Sequence, residues 1–137
     1  MQDFFLIDLI NCVVGLALKH TGQLEAAVIV CQKAIKIDPN NSMAHFNLGN
    51  TYQDLRDYDL AIKSFKEVLQ MDSMHVDALF NLAVSFQDRS SISVTREGKM
   101  DDLLSASKCY EEVHACRPDI VEAKKALDSL RKVLRNL

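Results

Sequence analysis

Hydrophobic positions fall at helical spacing along almost the whole chain, and they fall in blocks. Ile10, Val14, Ala17 and Leu18 share one helical face; Leu24, Ala27, Val28, Cys31, Ala34 and Ile35 share another. The blocks recur at a fixed interval. Gly15, Gly49 and Ala83 mark it, 34 and again 34 apart, each preceded by an apolar residue (Val14, Leu48, Leu82) and followed three residues later by a large one (Leu18, Tyr52, Phe86). The second half of each block steps unevenly. Ala27, Ala61 and Ala106 lie 34 and then 45 apart, as do Cys31, Phe65 and Tyr110, and the turn positions Pro39, Ser73 and Pro118. The third copy therefore carries 11 extra residues, RSSISVTREGK, around Arg89–Lys99. A period of this length means stacked helical pairs. The pattern predicts helices over 6–20, 24–37, 42–55, 58–71, 76–88, 102–116 and 119–135, and no segment reads as strand.

Local chemistry agrees with these boundaries. Asp38-Pro39-Asn40-Asn41 is a helix stop followed by cap candidates. Gly15 and Gly49 each cost a helix about 1 kcal/mol against Ala, a cost that makes sense where a neighbouring helix must approach closely. After Pro118, the residues Ile120, Ala123, Leu127, Leu130 and Leu134 form one apolar stripe. Glu122, Lys125, Asp128, Lys132 and Arg135 occupy the opposite face. This is the pattern of a terminal helix that keeps one end of a stack soluble. The other end differs. Phe4–Leu18 is strongly apolar, broken only by Asp8 and Asn11; it is too short and too polar to span a membrane, and its Met1-Gln2-Asp3 lead is not that of a signal peptide. Phe4, Phe5, Leu6 and Ile7 lie where a preceding helix would pack. They form a candidate edge for self-association, for upstream repeats, or for folding back on the first helical pair. The insertion reads as a lengthened polar loop, with Ser90, Ser91, Ser93 and Thr95 as candidate phosphate acceptors beside Arg89, Arg96 and Lys99.

The best copy of the block, AHFNLGNTYQDLRDYDLAIKSFKEVLQMD over 44–72, resembles the tetratricopeptide repeat family, and its registered copies extend the resemblance over roughly residues 8–118. The resemblance implies an all-α, right-handed superhelix of antiparallel helix pairs (an α-solenoid), with residues 1–137 forming a single domain. Its repeats would span about 8–41, 42–75 and 76–120, with the insertion near 89–99 and a capping helix over 119–135. It also implies a non-enzymatic protein–protein interaction module whose first helices line a concave groove. On that face Asn47 and Asn81, one repeat apart, are candidate main-chain contacts for a bound peptide. Met43, Phe46, Asn50, Asp77 and Phe80 join them as partner-binding candidates; the alternative for Phe46 and Phe80 is packing against a neighbouring helix. A carboxylate clamp for chaperone tails would need Lys, Asn and Arg where this chain has Cys12, Leu16, Asn47, Asp77 and Asn81; only Asn47 fits, so clamp binding is not expected. Two alternatives remain open: a structural, self-associating module or the C-terminal piece of a longer array, and an accessory repeat domain of an enzyme such as a glycosyltransferase.

Composition narrows the remaining possibilities. The formal net charge of −3 gives no basic bias towards nucleic acid. Cys12, Cys31, Cys109 and Cys116 show no CxxC spacing; they are expected as free thiols, which favours a reducing, cytoplasmic setting. His20, His45, His75 and His114 are scattered, and Glu111-Glu112 reads as a solvated face. No catalytic constellation, metal-ligand spacing or phosphate-cradling glycine motif is present, so neither cofactor nor metal is expected. Asn40-Asn41-Ser42 matches a glycosylation sequon, but its residues also have a helix-capping explanation.

Overall fold

The computed structural model describes residues 2–137; the side chains of residues 2–5 and of Asp8 lie outside the description, and with them the Phe4 and Phe5 part of the candidate edge. The described residues form seven helices and no strand: α1 (Gln2–His20), α2 (Leu24–Ile37), α3 (Ser42–Asp54), α4 (Tyr58–Met71), α5 (Val76–Ile92), α6 (Arg96–Cys116) and α7 (Val121–Arg135). They gather into two compact units that divide between Met71 and Asp72.

In the first unit α1 pairs with α2 and α3 with α4, while α2 also packs on α3. Three-residue turns join the members of each pair. Gly22 (φ 77°) and Arg56 (φ 60°), at equivalent places in the repeat, supply the left-handed residue that reverses the chain. Gly is free to adopt that geometry, whereas an L side chain is strained in it. Asn41 caps α3, its side-chain oxygen accepting from the Ala44 amide at 2.8 Å. The glycines explain the close pairing. A Cβ at Gly15 would sit 2.9 Å from the Cys31 sulfur, and one at Gly49 would sit 2.7 Å from the buried Phe65 ring.

In the second unit α5 and α6 form a longer pair, closed by α7 packing on α6. His75 caps α5, its Nδ1 accepting from the Ala78 amide at 3.1 Å. The insertion does not form the loop expected from its polar sequence. α5 runs 17 residues against 13 for α3, and α6 runs 21 against 14 for α4. The turn between them is again three residues, Ser93–Thr95. Ser90, the counterpart of Gly22 and Arg56 in the repeat, is helical.

Three interactions carry the helices through. The Ser90 and Ser91 hydroxyls donate to the carbonyls of Gln87 and Asp88, both at 2.6 Å. The Thr95 hydroxyl caps α6, accepting from the Gly98 amide at 3.1 Å. Arg89 grips the nearly buried Asp102 carboxylate through Nε and Nη2 at 2.6–3.2 Å, joining the two extended segments. α7 begins at Val121 rather than 119, because the Asp119 carboxylate pairs with Arg117 instead of capping the helix.

Candidate functional site

The first helix of each pair carries the residues expected to meet a partner. In α1 only Cys12 and Gly15 are buried among the described side chains; Leu6, Ile7, Leu9, Ile10, Val13, Val14 and Leu16 are all exposed. Successive residues turn by about 100° around a helix, so these positions cover about half its circumference with apolar surface. The repeat register divides them. The counterparts of Leu9 and Leu16 in α3 are Met43 and Asn50, of which Met43 is exposed and Asn50 half-buried. The counterparts of Ile10, Val13 and Val14 are Ala44, Asn47 and Leu48, all buried. Leu9, Leu16, Met43 and Asn50 thus lie on a side of the first helices that stays accessible after stacking.

Asn47 has a different setting. It is only 6% exposed, and its Nδ2 donates to the Cys12 carbonyl at 3.5 Å, tying α3 to α1. Phe46 is half-buried and packs edge-on against Phe65 of α4, ring centroids 5.8 Å apart.

The second unit repeats this arrangement around α5. Phe80 meets Tyr110 of α6 edge-on at 5.5 Å, the same aromatic pairing as Phe46 with Phe65. Asn81 is half-buried rather than buried, and its carbonyl accepts from the Ser85 hydroxyl, as the Asn47 carbonyl accepts from Thr51. Asp77 is exposed. Nearby charge is mixed: Asp77 acts on Arg117, which is bound bidentately to Asp119 and holds that carboxyl down at about 2, mainly through their hydrogen bond. Tyr110 donates to Gln87 Oε1 at 3.2 Å, and burial, aided by Asp88, pushes its hydroxyl up to about 12.

One concavity was not foreseen from the sequence. A cleft of about 350 Å³ opens in the first unit, lined by Ile35, Leu48, Tyr52, Leu60, Lys63 and Glu67 among others. Its residues come from α2, α3 and α4, so no single helical stripe announces it; the Gln32–Tyr52 hydrogen bond of 3.3 Å spans its wall. The cysteines are free, with Cys12, Cys31 and Cys109 buried and Cys116 partly so. Burial, and then the neighbouring Cys12, push the Cys31 thiol up to about 11, away from the reactive thiolate range. No group of His, Cys, Asp and Glu among the described residues could hold a metal ion, and no described helix is long and apolar enough to cross a membrane.

Helical hairpins in a regular repeat register, with side chains of the first helices left open, define a repeat scaffold of the α-solenoid class. Comparison with known proteins agrees. Models of the tetratricopeptide repeat match residues 10–41 and 30–63. The chain belongs to the tetratricopeptide repeat family. Among curated relatives, mouse peptidyl-prolyl cis-trans isomerase FKBP4 is 31% identical over 111 residues, which are 81% of this chain and 24% of the relative. The chain therefore spans about a quarter of that protein. Among solved structures, the first TPR of Spaghetti (RPAP3) bound to the HSP90 peptide SRMEEVD superposes with a TM-score of 0.81 at 19% identity, covering 93% of each chain. The second TPR domain of human RPAP3, in complex with the HSP70 peptide SGPTIEEVD, gives 0.79 at 16%, covering 93% of this chain and 98% of that one. At these identities the structures speak to the fold.

Proposed function

We propose that the chain is a non-enzymatic protein–protein interaction module that holds partner segments on the open side of its first helices. The observation that carries this reading is a single register position. Leu9, Met43 and Asp77 occupy the same place in successive repeats and are exposed in all three first helices, where a side chain serving only the core would be covered. In the first unit Leu9, Leu16 and Met43 offer apolar contacts and Asn50 a polar one. In the second unit Asp77 and the Asn81 amide offer polar contacts. Asn47 supports the surface by fixing α3 against α1, and Phe46 and Phe80 form its shoulders through their edge-on packing. Each direct amide contact contributes roughly 1 kcal/mol net, so specificity rests on the apolar positions.

The two RPAP3 structures hold peptides with an acidic EEVD ending. This chain has Asp77 and Leu16 at positions matched to that mode, so the partner we propose is a segment with apolar and neutral side chains rather than an acidic tail. A peptide selected from a random displayed library tests the reading. Leu16→Glu with Met43→Glu is expected to weaken its binding at least tenfold, and SRMEEVD to bind more weakly than the selected peptide. Unchanged affinity in the Leu16/Met43 variant would reject the surface.

A further inference from the structure

The cleft in the first unit lies on the other side of α3 from the surface assigned to partner segments. Successive helical residues turn by about 100°, so His45 and Tyr52 stand roughly 200° and 180° around α3 from Met43. Its volume of about 350 Å³ is at the lower end of the roughly 300–1,000 Å³ typical of small-ligand sites, room for one bicyclic ring. Its apolar lining comes from Leu48, which is 7% exposed, half-buried Ile35, and Leu60, which is 39% exposed.

The polar lining is mostly acceptors. The Ser64 hydroxyl donates to the Leu60 carbonyl at 3.0 Å, which leaves its oxygen to accept. His45 Nε2 lies 2.9 Å from the Pro39 carbonyl and donates to it, so the neutral ring accepts at Nδ1. Glu67 adds a carboxylate. Lys63, one turn before it and exposed, adds an ammonium group that favours the face of an electron-rich ring, tryptophan best of all. The Tyr52 phenol oxygen accepts from the Gln32 amide at 3.3 Å, which leaves the phenol proton for an outside acceptor.

We propose that the cleft takes the indole ring of a tryptophan in a partner protein. Indole is a donor with no acceptor of its own, so its N–H suits the acceptors of His45, Ser64 and Glu67. The ring body rests on Ile35, Leu48 and Leu60. The main-chain carbonyl beside the tryptophan accepts from Tyr52. A phenylalanine ring would leave the acceptors without a donor, and a free indole would leave Tyr52 without its carbonyl. A second copy of these 137 residues cannot supply the ring, because the sequence contains no tryptophan.

That same lack makes the test direct, since the emission of a tryptophan ligand is read without background. N-acetyl-Gly-Trp-Gly-amide is titrated with the full chain at pH 8. Saturable binding with a blue shift of the emission is expected. The 1-methyl-tryptophan peptide, which has no indole N–H, should bind at least threefold more weakly, and the phenylalanine peptide should compete poorly. Leu60→Glu should weaken binding at least tenfold at unchanged melting temperature, because an acidic residue suits the first turn of α4. Leu16→Glu with Met43→Glu, on the side assigned to partner segments, should change it less than twofold, so the two sites are judged separately. No saturable binding, equal binding by the Leu60 variant, or equal binding of the parent and methylated peptides would overturn the proposal. Tighter binding of indole itself than of the peptide would also overturn it, by giving the cleft to a free small molecule.

Discussion

Replacing Gly49 with Ala sets two well-defined effects against each other. In an exposed helix the change would stabilise by about 1 kcal/mol through helix propensity. Here the new Cβ would lie 2.7, 2.9 and 3.0 Å from three carbons of the Phe65 ring. Phe65 is fully buried and braced edge-on by Phe46, so the ring cannot swing clear without displacing core neighbours. Overpacking of this kind costs roughly 1–3 kcal/mol, so the net expectation is destabilisation by about 1 kcal/mol. Urea denaturation followed by far-UV circular dichroism measures it. The cause is isolated by adding Phe65→Leu, which destabilises by itself but removes the ring edge. The double variant should then be less destabilised than the sum of the singles by about 1 kcal/mol. A Gly49→Ala protein more stable than wild type, or strictly additive singles, would refute the steric argument. Ala83 occupies the equivalent place in α5 and is fully buried, so the second unit already accommodates the methyl group that α3 lacks room for.

Three further outcomes are expected. Arg89→Ala leaves the Asp102 carboxylate nearly buried and unpaired by that guanidinium; it should cost roughly 2–3 kcal/mol and accelerate amide hydrogen exchange around Ser90–Met100. Arg56→Gly removes a strained left-handed residue from an exposed turn and should stabilise by about 0.5–1 kcal/mol, read as a higher urea midpoint. Stability should fall in alkali: the Cys31 and Tyr110 pKa values are raised to about 11 and 12, so both groups stay neutral in the fold at pH values where the unfolded chain ionises. Their contribution is complete below the ordinary values near 9 and 10 and is lost as pH rises through 11 and 12. Urea midpoints measured from pH 8 to 11 should drop less steeply in Cys31→Ala.

Helix positions were legible in the sequence where the repeat is regular. α2 and α4 begin and end where the repeat register puts them, because Gly22, Arg56 and the Asp38–Asn41 stop are local signals. The insertion was not legible. Ser90 and Ser91 read as loop formers, yet their hydroxyls are satisfied by carbonyls one turn back. The pairing that draws the extension into the α5–α6 hairpin, Arg89 with Asp102, joins residues on different helices. The candidate surface was half legible. Register puts Asn47 and Asn81 at the same repeat position, but it does not show that stacking buries the first and leaves the second half-buried. The cleft beside Tyr52 needs three helices to assemble and has no local signature.

The lengthened hairpin also implies a rule for what this fold tolerates over evolutionary time. The additions of four residues to α5 and seven to α6 are close to one and two helical turns at about 3.6 residues each. A whole turn returns every later side chain to the face it held before, so Phe86 and Ala106 still meet their core partners on either side of the added segment. Length change in this hairpin is therefore quantised. Insertions or deletions near three or four, seven and eleven residues are absorbed as extra helix. One of two or five residues would rotate the following stripe by a large part of a circle and turn its apolar residues towards water.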